Sequence, residues 1–131
     1  MSENLGFYKC EICGNIVQVF HSGFGELVCC RKPMTHLEPK TNEPEIGEKH
    51  IPIFIENDGI TEVKIGSIPH PMTNEHYIEF IEVLSNDKHE MHIKFLHPEQ
   101  EPTLQLRCQN DFKNAFEYCN IHGLWLGENT N

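Results

Sequence analysis

The chain has 131 residues, 38% hydrophobic and 23% charged, with 8 Phe, 3 Tyr and 1 Trp to build a core; this excludes wholesale disorder and leaves room for one ordinary domain or two small ones. Its net charge of −10, from 20 acidic residues against 10 Lys and Arg, argues against a nucleic-acid binder, which needs clustered basic residues to neutralise phosphates. The longest nearly continuous apolar run, Ile51-Pro52-Ile53-Phe54-Ile55, is far below the ~20 residues of a membrane span, and residues 1–9 lack the apolar segment of a Sec-type signal, so no membrane association and a cytoplasmic location are expected.

Six Cys and nine His are unusual for a chain of this size. In a reducing compartment such cysteines are more often metal ligands or redox centres than disulfides. The first cluster is Cys10-Glu-Ile-Cys13, followed after 15 residues by the adjacent pair Cys29-Cys30. Four soft sulfur donors from two loops favour tetrahedral zinc or iron. One tight turn can present both sulfurs of the CxxC, with Gly14 free to take a positive φ. The adjacent pair is expected to open the S–metal–S angle, since neighbouring side chains diverge. A piece of 37 residues rarely folds without a staple, and the metal would supply it.

Residues 38–47 (Glu-Pro-Lys-Thr-Asn-Glu-Pro-Glu-Ile-Gly) carry two prolines and no apolar periodicity, and read as a linker. Residues 1–37 hold 3 acids and 3 bases, whereas residues 48–131 hold 14 acids and 6 bases, hence −8 of the −10. The uneven charge is what two units would give.

Beyond the linker, short β-branched and aromatic runs are punctuated by turn signals. Strands are predicted at Ile51–Glu56, Thr61–Ile65, Tyr77–Val83, Met91–Phe95, Leu104–Cys108, Ala115–Tyr118 and Leu124–Leu126. Turns are predicted at Asn57-Asp58-Gly59 and Ser85-Asn86-Asp87-Lys88. Seven such strands without a long helical period predict an antiparallel β-sandwich. In Met91-His92-Ile93-Lys94-Phe95 the alternation predicts one apolar face and a solvent face holding His92 and Lys94. Cys108 reads as a core cysteine, and His21, His36, His89, His92 and His97 as turn or surface residues.

A second cluster is spread over the same segment. Glu48-Lys49-His50 stands at the mouth of the first predicted strand. His70 is flanked by Pro69 and Pro71, which hold the loop extended and lower the entropy lost on binding a metal, and His76 follows six residues later. Cys119-Asn-Ile-His122 is compact enough for both side chains to reach one ion from a turn. Four imidazoles and one thiolate exceed what four-coordinate zinc needs and suit iron or copper; four histidines are too many for the usual copper His₂Cys set. A five-coordinate centre with one open position is what redox catalysis on a small molecule requires.

With these residues in place, the chain resembles the desulfoferrodoxins, the two-iron superoxide reductases, over nearly its whole length. Residues 1–37 look like the desulforedoxin-type FeS4 module and residues 48–131 like the neelaredoxin-type catalytic domain. The resemblance implies two iron ions per chain, one held by Cys10, Cys13, Cys29 and Cys30. It implies that His50, His70, His76 and His122 are equatorial ligands of the other and Cys119 its axial ligand, with Glu48 and Lys49 at the open sixth position. It also implies an immunoglobulin-like sandwich, a homodimer, a rubredoxin-like electron donor, and the reduction of superoxide to hydrogen peroxide without release of dioxygen. Lys49 would attract the anionic substrate into an acidic domain, and Glu48 would close the oxidised centre to other ligands. The alternative is an electron-transfer protein whose second iron is closed to substrate; dismutation is disfavoured because thiolate donation lowers the reduction potential.

Overall fold

The computed structural model describes residues 2–107 and 111–131. The chain divides into two compact units, Met1–Glu38 and Pro39–Asn131. Cys108 lies outside the described residues.

Unit one is built from five very short strands: β1 (Phe7–Lys9), β2 (Ile16–Gln18), β3 (Val28–Cys29), β4 (Lys32–Pro33) and β5 (Thr35–Leu37). They form an antiparallel sheet of order β2-β1-β5 and a separate β3-β4 hairpin. The β1–β2 connection is the CxxC turn, closed by Gly14 N–H donating to Cys10 O at 2.9 Å and Cys10 N–H to Asn15 O at 2.9 Å. Gly14 takes φ 87° there, a conformation that costs glycine little. The β3–β4 loop is the two-residue Cys30-Arg31, both at positive φ (53° and 66°), the signature of a type I′ hairpin turn without the usual Asn-Gly. Few hydrophobic side chains are buried here: Phe7, Tyr8, Cys10 and Val19, while Phe20 and Phe24 stand in solvent. That core is too small to hold a domain by itself.

The second unit begins with β6 (Pro52–Asn57), preceded by the single turn α1 (Gly47–His50), and continues with β7 (Ile60–Ile65), β8 (Ile78–Ser85), β9 (Met91–Phe95), β10 (Thr103–Leu106), β11 (Phe112–Cys119) and β12 (Gly123–Glu128). Each of the seven predicted strands has its counterpart, with ends displaced by up to three residues. Two antiparallel sheets result, of order β10-β7-β6 and β12-β11-β8-β9, the three-plus-four arrangement of an immunoglobulin-like sandwich. The core between them is made by Phe54, Val63, Ile65, Ile78, Ile81, Val83, Leu96, Leu106, Phe112 and Ala115. Part of the 38–47 stretch is tied to this unit: Lys40 N–H donates to Leu124 O and Leu126 N–H to Lys40 O, each at 2.9 Å.

The expectation for β9 is reversed. Ile93 and Phe95 are 42% and 72% exposed, while the His92 ring packs edge-on against the buried Phe112 at 5.4 Å. Register explains it: His92 lies opposite Val83 and Lys94 opposite Ile81, and both of those partners point into the core. As β9 is an edge strand, the polar ends escape sideways, His92 Nε2 to Glu90 at 2.9 Å and Lys94 Nζ to Thr103 O at 2.9 Å. Such snorkelling lets a half-buried lysine or histidine serve the inner face.

Candidate metal centres

In the first unit the I′ turn decides the outcome for the adjacent cysteines. Positive φ at Cys30 turns its side chain back toward that of Cys29, and the sulfurs of Cys10, Cys13, Cys29 and Cys30 all lie within 4.8 Å of one another. Cys13 Sγ and Cys29 Sγ are 3.6 Å apart. Hydrogen bonding within the cluster drives Cys10 and Cys30 in opposite directions. Backbone N–H groups of Cys13 and Ile12 pull Cys10 down to about 6. The neighbouring Cys13 and Cys10 side chains push Cys30 up to about 12. A cation at the middle would ionise all four together and give every sulfur a partner.

The second cluster is assembled from three places in the sandwich. His50 ends the α1 turn, His70 and His76 sit on the β7–β8 connection, and Cys119 and His122 flank the β11–β12 turn. Their ligand atoms also lie within 4.8 Å of one another. The α1 turn is fastened to the segment leading to His70. Glu48 O accepts the N–H groups of Ser67 and Ile68 at 2.8 and 3.1 Å, and Gly66 N–H donates to Ile51 O at 3.1 Å. Gly66 has φ 78°, and a Cβ there would lie 2.7 Å from the Lys49 carbonyl. Gly66→Ala is therefore expected to cost about 2 kcal/mol from backbone strain and crowding together, and to lower metal content at this cluster. Thermal melting and metal analysis of the variant check both.

This constellation fits a cation better than it fits water or protons. His50 and His70 are buried, and burial with neighbouring imidazoles lowers them to about 3 and about 4. His76 is lowered too, by burial first and then by the charges of His122 and Lys49. All three rings are thus neutral donors at neutral pH. His70 Nε2 and His76 Nε2 are buried without a hydrogen-bond partner among the described residues, and orphaned acceptors of this kind are costly unless something completes them. His50 Nε2 and His122 Nδ1 face each other at 3.0 Å, where only a proton or a cation reconciles two ring nitrogens. Burial pushes the Cys119 thiol up, opposed by the N–H groups of His122 and Ile121; the His122 N–H lies 3.4 Å from its sulfur. A thiol held protonated by burial becomes a thiolate when a metal takes the proton's place. Soft sulfur with four imidazoles is an iron donor set.

Glu48 and Lys49, on the same turn as His50, are both exposed. Three participants have no signal in the sequence. Trp125 stacks on His50, with ring centroids 4.7 Å apart and planes 8° from parallel. Lys40 Nζ and Trp125 Nε1 both donate to His122 O, at 3.0 and 3.1 Å. Glu117, fully buried, places Oε2 3.0 Å from His50 Nδ1; burial holds its carboxyl well above the usual range.

Comparison with known proteins agrees with this two-centre layout. The family model described as "Desulfoferrodoxin, N-terminal domain" matches residues 2–37, and the one described as "Desulfoferrodoxin" matches residues 42–128. A desulfoferrodoxin homolog of Archaeoglobus fulgidus is 47% identical over 95% of this chain and 98% of its own length. The superoxide reductase of Pyrococcus horikoshii is 35% identical over 63% of this chain and 86% of its own. Among solved structures, the superoxide reductase of Treponema pallidum superposes with a TM-score of 0.75 over 96% of this chain and 99% of that one, at 24% identity, a likeness of fold. With both family models together spanning nearly all of the sequence, and a relative at 47% identity matched almost end to end, the chain belongs to the desulfoferrodoxin family.

Proposed function

We propose that this protein is a superoxide reductase, an oxidoreductase that converts superoxide, one electron and two protons into hydrogen peroxide without releasing dioxygen. The observation that carries the reading is the second cluster: five converging donors, four imidazoles and one thiolate, with two exposed ionisable side chains on the turn of one of them. His50, His70, His76, His122 and Cys119 would hold the catalytic iron, and Cys10, Cys13, Cys29 and Cys30 an FeS4 centre that stores or relays an electron. Iron, when bound, supplies the electron and a Lewis-acidic position.

The remaining work falls to the protein. Neutral imidazoles keep protons off the donor nitrogens, and the His122 N–H directed at Cys119 Sγ moderates how strongly that sulfur donates. Lys49 gives an acidic unit a local positive charge for an anionic substrate, and Glu48, on the same turn, would close the oxidised centre to other ligands. Lys49→Ala is expected to slow superoxide association roughly 10-fold at low ionic strength and to flatten its salt dependence; rapid mixing at several salt concentrations measures both.

The domain reading is residues 1–37 as the FeS4 module and 48–131 as the catalytic sandwich, with 38–47 connecting them and Lys40 strapping the connection to the catalytic unit. Cys13→Ser is accordingly expected to bleach the first centre while the anaerobically reduced variant still consumes superoxide. Loss of both together would mean that the centres depend on each other. A rubredoxin-like donor fits a one-electron supply, and a homodimer fits the exposed Phe20 and Phe24 of the first unit.

The reading is tested by the products of reduced protein and superoxide. One peroxide per superoxide and no dioxygen is expected. Half a peroxide with dioxygen would make the protein a dismutase, and no turnover beyond the buffer blank would make it an electron carrier.

A further inference from the structure

The register of β11 and β12 sets Glu117 directly beside Trp125. Both are fully buried, and both meet the ring of His50: Trp125 by stacking on its face, Glu117 through Oε2 at its Nδ1, 3.0 Å away. The other carboxyl oxygen, Oε1, is buried with no hydrogen-bond partner among the described residues. Packing alone does not account for a carboxyl here. Opposite Glu117 on β8 is Ile81, and two residues along β11 is Ala115, both core members. An apolar side chain would fill the same place without leaving an oxygen unsatisfied.

We propose that Glu117 is the positioning residue that fixes the tautomer and the ring angle of His50. The inference rests on the iron reading above. Glu117 Oε2 accepts the proton of His50 Nδ1, whether the carboxyl is ionised or carries its own proton on Oε1, so Nε2 is left as a lone pair aimed at the cluster, where it already faces His122 Nδ1 at 3.0 Å. Trp125 fixes the plane of the ring and Glu117 its rotation within that plane. For His70 a backbone carbonyl does the corresponding job, with Nδ1 2.6 Å from Pro71 O. His50 is the one donor of the four whose outer nitrogen meets a side-chain carboxyl among the described residues. Its orientation is therefore open to mutation without changing a ligand.

The tests use the full-length protein and need no superoxide. With ferrous iron loaded anaerobically, Glu117→Leu is expected to release iron from the His/Cys site to a chelator 10- to 100-fold faster than the unaltered protein, the usual cost of losing such a support. Its metal-free form should melt close to the unaltered protein, since the gain from removing an unsatisfied carboxyl oxygen offsets the acceptor lost by the buried His50 Nδ1–H. Glu117→Gln, whose amide oxygen still accepts from Nδ1, should restore most of the retention. The FeS4 absorbance, unchanged in both variants, serves as internal standard. Iron release that follows the melting temperature, or that stays at the unaltered rate, would overturn the proposal and leave Glu117 a packing residue.

Should the leucine variant fail to fold, NMR of the nitrogen-15 labelled, unaltered protein loaded with zinc decides. A His50 Nδ1–H proton shifted downfield by a strong hydrogen bond to a carboxyl supports the assignment, and an Nδ1–H at the position of the other zinc-facing histidines, or no proton at Nδ1, ends it. If the unaltered protein takes no iron at this site, the function reading fails and this inference with it. If it takes iron and Glu117→Leu keeps it equally well, only this inference fails.

Discussion

Cys119→Ala is expected to abolish superoxide reduction and halve the iron content, from two per chain to one, with the FeS4 spectrum untouched. Cys119 is the last residue of β11, fully buried, after a register shift between Tyr118 and Cys119 that re-aims the end of the strand. Its thiol, held up by burial, has no use as an acid or as a surface nucleophile. The polar groups directed at it from the turn are the N–H groups of Ile121 and His122, the latter at 3.4 Å. Four imidazoles without the thiolate form a weaker, harder donor set whose bound iron has a higher potential. Since outer supports alone change affinity or activity by 10- to 100-fold, loss of the only thiolate in the cluster is expected to cost at least about 100-fold. Superoxide consumption by reduced protein, with iron analysis of the same sample, checks this. Activity retained with one iron per chain would transfer catalysis to the first centre.

The two donor clusters were legible in the sequence because metal chemistry demands particular side chains, and the nine Cys and His that converge are of those types. The strands were legible because β-branched runs between turn residues have a local cause. What was not legible depends on which face of a strand meets which sheet. On β11 the acidic Glu117 points into the sandwich beside Ile81, and Tyr118 stacks with Phe80 on the opposite face, ring centroids 5.9 Å apart. Both faces of the four-stranded sheet carry apolar side chains: Ile81 and Val83 inside, and Phe80, Tyr118 and Leu124, also buried, outside. Alternation then has no unique phase. The same ambiguity misassigns β9. The role of Lys40 has no local cause of this kind: a lysine among prolines and glutamates carries no sign that its backbone will pair beside Trp125.

Gly127→Ala is expected to destabilise the second unit by about 3 kcal/mol, at the top of the range for overpacking. A Cβ at Gly127 would collide with Pro52 O and lie 2.9 Å from its carbonyl carbon. Both obstacles are backbone, so no rotamer change relieves them and β6 or β12 must move. For a unit of this size that loss corresponds to a melting temperature lower by on the order of 15 °C. Gly123→Ala is the control: its φ is 84° but nothing lies within 4 Å of the added carbon, so it should cost only the backbone term, about 1–2 kcal/mol. The consequence extends to the metal. Pro52 follows His50 by two residues and Gly127 follows Trp125 by two, so the approach of β6 to β12 and the stacking of His50 on Trp125 are neighbouring contacts between the same two segments. Pushing the strands apart at Gly127 should therefore loosen His50, and the variant should lose iron from the His/Cys site faster while the FeS4 centre holds. A lowered melting temperature with unchanged iron retention would mean that the α1 turn, fastened through Glu48 O to Ser67 and Ile68, holds His50 without help from the sheet contact.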